Sequence, residues 1–166
     1  MSQAMLKPGT IHKEALRIAG EKVYRDRTIE VTYPYTGEVI ATVPKASLED
    51  LRVAYKIARD YKPTLTRYER YKILMRAGEI IASRLDEISR VITMESGLCR
   101  KDSLYEVGRA SDVLLFAANQ ALVDDGQVFS CDLTHHGKSR KVYTLREPLQ
   151  GAITAITPFN HPLNQV

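Results

Sequence analysis

The sequence predicts an α/β fold, and three observations carry that expectation. The first is the run Gly151-Ala-Ile-Thr-Ala-Ile156, small and β-branched with hardly any polar relief, which reads as a strand buried on both faces of a parallel sheet. The second is a set of four helix-period segments between residues 47 and 123, three of them opening on Ser/Thr-x-x-Asp/Glu capping boxes. The third is alternating, turn-punctuated β sequence before residue 45. With 166 residues, 44% hydrophobic and 27% charged, the chain is long enough for one ordinary domain with a core.

Residues 1–15 carry Lys7-Pro-Gly9 and little periodicity, and are expected to be a loose arm. Leu16-Arg-Ile18, a turn at Ala19-Gly20 and Val23-Tyr24 follow as strand-like pieces. Thr28 to Tyr33 alternates cleanly, Pro34-Tyr-Thr-Gly37 is turn chemistry, and Glu38 to Pro44 resumes the alternation. Together they predict a small β-meander.

The capping boxes Ser47-Leu-Glu-Asp50, Thr66-Arg-Tyr-Glu69 and Ser83-Arg-Leu-Asp86 each predict a helix start, and Gly97 is placed to cap the third helix. A fourth helix is expected from about Ser103 to Val123, with Val107, Ala110, Leu114 and Ala118 at helical spacing. Gln127–Asp132 and Lys141–Arg146 then flank a His135-His-Gly137 turn, which predicts a projecting β-hairpin. A long hairpin needs support, so residues 125–147 are expected to be an oligomerisation element that meets a neighbouring subunit.

Thr157-Pro158 stops the final strand, because proline offers no N–H, and Pro162 suits the first turn of a helix. Phe159, Asn160 and His161 are thereby expected in a tight loop at the carboxyl end of a parallel strand, where open α/β sheets bind ligands. The crossover to a parallel neighbour has barely begun at Val166, so a truncated sheet is expected, and an antiparallel edge strand is the alternative.

Charge and cysteine content narrow the function classes. The net charge is +4 and the densest cluster is Lys138-Ser-Arg140-Lys141, a hairpin tip without interleaved aromatics, so no nucleic-acid partner is expected. Two cysteines, Cys99 and Cys131, suit a reducing compartment without a disulfide framework. No signal peptide or membrane-spanning run is seen, and a cytoplasmic location is the expectation. Cys131 with His135 and His136 lacks a fourth metal ligand, so no metal is expected.

From about Leu16 to Val166 the chain resembles the N-terminal third of the aldehyde dehydrogenase superfamily. The strongest carrier is Glu147-Pro-Leu-x-Gly-Ala-Ile-Thr-Ala-Ile-Thr-Pro-Phe-Asn-His-Pro-Leu-Asn164. Supporting segments are Pro34-Tyr-Thr-Gly-Glu38, Glu69-Arg70, Glu95-Ser-Gly97 and Glu106-Val-x-Arg-Ala110. A finer resemblance within the family, to phosphonoacetaldehyde dehydrogenases, rests on Thr66-Arg-Tyr-Glu-Arg-Tyr-Lys72, Ser96-Gly-Leu-Cys-Arg-Lys-Asp102 and Gly137-Lys-Ser-Arg-Lys141.

The resemblance implies the N-terminal part of that fold: residues 16–124 in the cofactor-binding domain, the 125–147 hairpin, and the first strand and loop of the dinucleotide-binding sheet at 148–166. It implies NAD- or NADP-dependent oxidation of an aldehyde to a carboxylate in a homo-oligomer, with phosphonoacetaldehyde as the finer substrate expectation and another anionic aldehyde, such as glyceraldehyde 3-phosphate, as an alternative. Asn160 matches the family's oxyanion-hole asparagine, and Ile156, Thr157, Pro158 and Phe159 match positions lining the cofactor cleft. His161 would face the aldehyde channel and Arg109 its mouth, where two cations suit a phosphonate tail. The structural alternatives are an asparagine spent on its own turn, ordinary loop packing, a loop histidine and a solvated arginine.

The resemblance places the nucleophilic cysteine and general-base glutamate beyond Val166. Gly126-Gln-Val-Phe-Ser-Cys131 superficially resembles the family's Gly-Gln-x-Cys, but the spacing is wrong, and Cys99 has no activating neighbour. The isolated chain is therefore expected to be inactive. A non-catalytic product acting by subunit association is the competing class.

Overall fold

The computed structural model describes residues 10–146 and 151–165. The β-rich front divides into two small sheets. β2 (Leu16–Ile18) and β3 (Glu21–Val23) form an antiparallel hairpin across Ala19-Gly20, both at positive φ as a primed two-residue turn requires. β4 (Thr28–Thr32) pairs antiparallel with β5 (Val39–Pro44), which in turn pairs parallel with β1 (His12–Lys13). Only β4 and β5 behave as the expected meander; β2 and β3 stand in a sheet of their own. The arm expected through residue 15 is shorter, because the amide of Glu14 donates to Thr42 and extends the β1–β5 pairing.

Two of the three capping boxes form. Ser47 caps α1 (Leu48–Asp60) and Thr66 caps α2 (Arg67–Ser83), each hydroxyl accepting from the amide three residues on while that residue's carboxylate reaches back. Asp50 also receives Arg25, Nη2 to Oδ1 at 2.6 Å, which ties α1 to the segment after β3. That guanidinium, together with the Ser47 amide and hydroxyl, holds the Asp50 carboxyl well below the usual carboxylate range. The third box does not form. α2 runs through Ser83, whose hydroxyl donates back to Ile80 O, and α3 (Leu85–Ser96) follows Arg84 without a side-chain cap. Gly97 ends α3 at φ 76°.

α4 (Arg100–Ala121) begins three residues before its expected start. It packs along α2 and against α3, and its buried face carries Ser103, Glu106, Val107, Ala110 and Ala118. Polar side chains sew the α3–α4 seam: Thr93 and Ser103 share a 2.8 Å hydrogen bond, while buried Ser89 accepts from Arg100. β6 (Val128–Ser130) and β7 (Lys141–Tyr143) form the expected antiparallel hairpin with every strand residue exposed.

The expected strand at Gly151–Ile156 is not formed. Residues 152–158 pair with no strand among the described residues, and Ile156 is 90% exposed. A parallel strand exists only by virtue of a neighbour's ladder, and none of the seven strands among the described residues pairs with this run. The helix expected at Pro162 is a turn through Gln165. Residues 147–150, which open the motif quoted above, lie outside the described residues.

Candidate active site

Ser103, Glu106, Val107 and Ala110 follow at i, i+3, i+4 and i+7, so helical period alone turns the Glu106 carboxylate inward with the apolar side chains. It is 1% exposed, and a buried carboxylate must find donors. Those donors come from the turn at 159–165. Oε1 accepts from the Leu163 amide at 3.0 Å and the Asn164 amide at 2.9 Å, while Oε2 accepts from Asn164 Nδ2 at 2.9 Å and His161 Nδ1 at 2.8 Å.

Local sequence makes this possible. Pro162 contributes no N–H, and the two amides after it are left free to point together, as at a helix N-terminus. A local Ser or Asp usually caps such amides; here a carboxylate from another helix does so. Burial pushes the Glu106 pKa up, but the Asn164 amide and side chain, the His161 ring and the Leu163 amide outweigh it. The net pKa is lowered from 4.5 to about 2, so Glu106 is ionised near neutral pH.

The sequence-derived residues fall around this clamp. His161 is half-buried and held by it. Asn160, directly before His161, is exposed, and its side chain makes no hydrogen bond among the described residues. Its amide is thus not spent on its own turn. Ile156, Thr157, Pro158 and Phe159 form a contiguous stretch leading into the turn, with Phe159 91% exposed. Arg109 sits on α4 three residues beyond Glu106, about one helical turn, exposed and with its guanidinium 5.8 Å from the Tyr105 ring centroid.

Sequence reasoning missed Glu106 and Asn164 as site residues. The available signal was a glutamate interrupting an apolar helix face, and two amides freed by a proline. Cys99 is exposed and Cys131 half-buried, and neither sulfur is hydrogen-bonded to a histidine or carboxylate among the described residues. No group of three or more His, Cys, Asp or Glu side chains is arranged to hold a metal ion among those residues, and none of their helices is long and apolar enough to cross a membrane.

An α/β chain whose turn at 159–165 is clamped to α4 beside an exposed asparagine defines a class that known proteins make specific. Residues 22–166 match the model of the aldehyde dehydrogenase family, and the chain belongs to that family. It is 31% identical over 157 residues to 3-sulfolactaldehyde dehydrogenase of Priestia aryabhattai, covering 94% of this chain and 33% of the relative. It is 35% identical over 150 residues to lactaldehyde dehydrogenase of Methanococcus aeolicus, covering 89% and 30%. Among solved structures, aldehyde dehydrogenase 21 from Physcomitrella patens with its reaction product succinate superposes with a TM-score of 0.86 at 31% identity, covering 94% of this chain and 33% of that one. NADP-dependent glyceraldehyde-3-phosphate dehydrogenase from Bacillus halodurans, complexed with NADP, gives 0.80 at 28% identity, covering 94% and 34%. The chain thus spans about a third of the length of these relatives, and the fold is the N-terminal part of theirs.

Proposed function

We propose that this chain supplies one wall of an NAD- or NADP-dependent aldehyde dehydrogenase site that oxidises an aldehyde to its carboxylate. The observation that carries this reading is the buried Glu106 clamp on the turn that carries Asn160, whose side chain makes no hydrogen bond among the described residues. When a thiolate adds to an aldehyde carbon, negative charge develops on the carbonyl oxygen, and an amide N–H held in place stabilises it without exchanging protons. A bound dinucleotide supplies the hydride acceptor. The residues present fit one side of a cleft for it: residues 152–158 run without backbone partners among the described residues, and exposed Ile156 and Phe159 offer apolar faces to planar rings. Thr157 and Pro158 complete that wall.

The substrate class follows from His161 and Arg109, two groups able to meet an anionic tail from adjoining elements. Two relatives are named for sulfolactaldehyde and glyceraldehyde 3-phosphate, aldehydes that carry such a tail. Phosphonoacetaldehyde is the particular aldehyde we infer, from the shorter motifs at 66–72, 96–102 and 137–141. In a full-length dehydrogenase carrying this sequence, Arg109→Gln and His161→Gln are expected to raise the KM for phosphonoacetaldehyde about tenfold, or about 1.4 kcal/mol, and to raise that for acetaldehyde less. An unchanged KM for phosphonoacetaldehyde overturns the anionic reading.

The 166-residue chain alone is expected to form no NADH or NADPH from any aldehyde, since neither the Cys99 nor the Cys131 sulfur is hydrogen-bonded to a base among the described residues. Turnover by the purified chain refutes this. Its free thiols suit a cytoplasmic setting. A second reading, association with another subunit through the 125–147 hairpin, is favoured by the outward Val128, Phe129, Val142 and Tyr143. Co-elution of the chain with the full-length enzyme in size exclusion, lost on Phe129→Ser, checks it.

A further inference from the structure

Glu106 meets four N–H donors with two oxygens, and because it is ionised it has no hydrogen of its own to give. Each contact therefore fixes the state of its partner. Three donors, two backbone amides and a carboxamide, carry hydrogens already. The fourth, His161 Nδ1, must carry one to lie 2.8 Å from Oε2. In the neutral ring the other nitrogen, Nε2, then holds a lone pair. Nε2 has no hydrogen-bond partner among the described residues, and the side chain is 35% exposed. A carboxylate behind a histidine is a common device for setting tautomer and ring orientation where the far nitrogen does chemistry.

We propose that Glu106 is the positioning residue of this site: it docks the turn bearing Asn160 onto α4 and holds Nδ1–H of His161 toward itself, leaving Nε2 as the ring atom that meets the ligand, an anionic tail through the N–H of the imidazolium form. Substrate contact through His161 then runs through one atom in one orientation. This inference rests on the aldehyde dehydrogenase reading for the ligand's identity, but the state of the ring does not.

The test is the ring-nitrogen spectrum of uniformly ¹⁵N-labelled protein without aldehyde, with His161 assigned by its loss in His161→Gln. In the neutral ring, Nδ1 is expected to be the protonated nitrogen and Nε2 the bare one; a spectrum dominated by Nε2–H overturns the proposal. Glu106→Gln gives a second arm. A glutamine side chain has one acceptor oxygen, and the Leu163 and Asn164 amides cannot reverse their polarity, so the oxygen stays with them. The new NH₂ then faces Asn164, which can flip its carboxamide, and His161, which must present a bare Nδ1. The His161 proton is expected to move to Nε2 in this variant while the amide spectrum stays native-like. A folded Glu106→Gln protein with an unmoved tautomer overturns the proposal, and if that variant does not fold, the unsubstituted protein decides alone. A full-length dehydrogenase that shows the expected tautomer but no aldehyde turnover overturns the function proposed above and leaves the role of Glu106 standing.

Discussion

A carboxylate on the inner face of a helix is stable only if its surroundings match it, and for Glu106 they come from residues 55 to 58 positions away. Removing it should show the asymmetry of buried hydrogen bonds. Glu106→Ala strands several donors and is expected to cost about 1–3 kcal/mol in urea unfolding, while Glu106→Gln, which keeps one acceptor oxygen, costs less. The pH dependence has a definite sign. The folded pKa lies below the ordinary 4.5, so the group's contribution is present above that value and lost as pH falls through about 2. Unfolding midpoints of the natural protein and of Glu106→Gln should therefore converge as pH drops across that window; a constant gap would contradict the assignment. The turn that carries Asn160 and His161 was legible in the sequence because Pro158 and Pro162 bracket it. Glu106 was not, because its partners are distant in sequence and no local pattern names them.

At the level of elements, the formed and unformed capping boxes give a direct comparison. Ser47→Ala and Thr66→Ala each remove a hydroxyl acceptor from a helix start, and each is expected to cost about 1 kcal/mol. Ser83→Ala is expected to cost clearly less, since Ser83 belongs to the end of α2. Thermal unfolding of the three variants checks the order, and an equal loss at Ser83 would restore the third box. The same four-residue pattern thus had two outcomes. An N-cap residue must be extended, as Ser47 and Thr66 are at ψ 168° and 164°, whereas α2 continues straight through Ser83. Gly97 was readable because a left-handed helix end leaves few choices; a Cβ there would also meet the Pro34 ring at 3.3 Å, so Gly97→Ala should cost about 1 kcal/mol or more. The run at 151–156 has strand composition without strand pairing, because composition supplies propensity and only a neighbouring ladder supplies the strand.

Across the whole molecule, order is distributed unevenly. The helices α2, α3 and α4 share a packed centre around Ile92, Val107, Ala110 and Ala118, while the β6–β7 hairpin buries none of its strand residues and Phe116 on α4 is 72% exposed. Native-state hydrogen exchange should rank them accordingly, with slow amides at Val107 and Ala110 and fast ones at Val128 to Ser130. Equal protection in the two regions would contradict it. The helical centre was legible from 3.6-residue periodicity, but the division of the front strands into two sheets was not, since pairing choice between short strands leaves little trace in their own residues. The clamp on Glu106 also carries a consequence in time. Closing its 58-residue separation from Asn164 in a disordered chain costs on the order of 3–4 kcal/mol of entropy by the (3/2)RT ln n rule. The α3–α4 and α2–α4 pairings close shorter spans first and build the surface the turn lands on. The segment presenting Asn160 is thus expected to dock after the helices and to detach before them, which faster hydrogen exchange at the Leu163 and Asn164 amides than at Val107 would check.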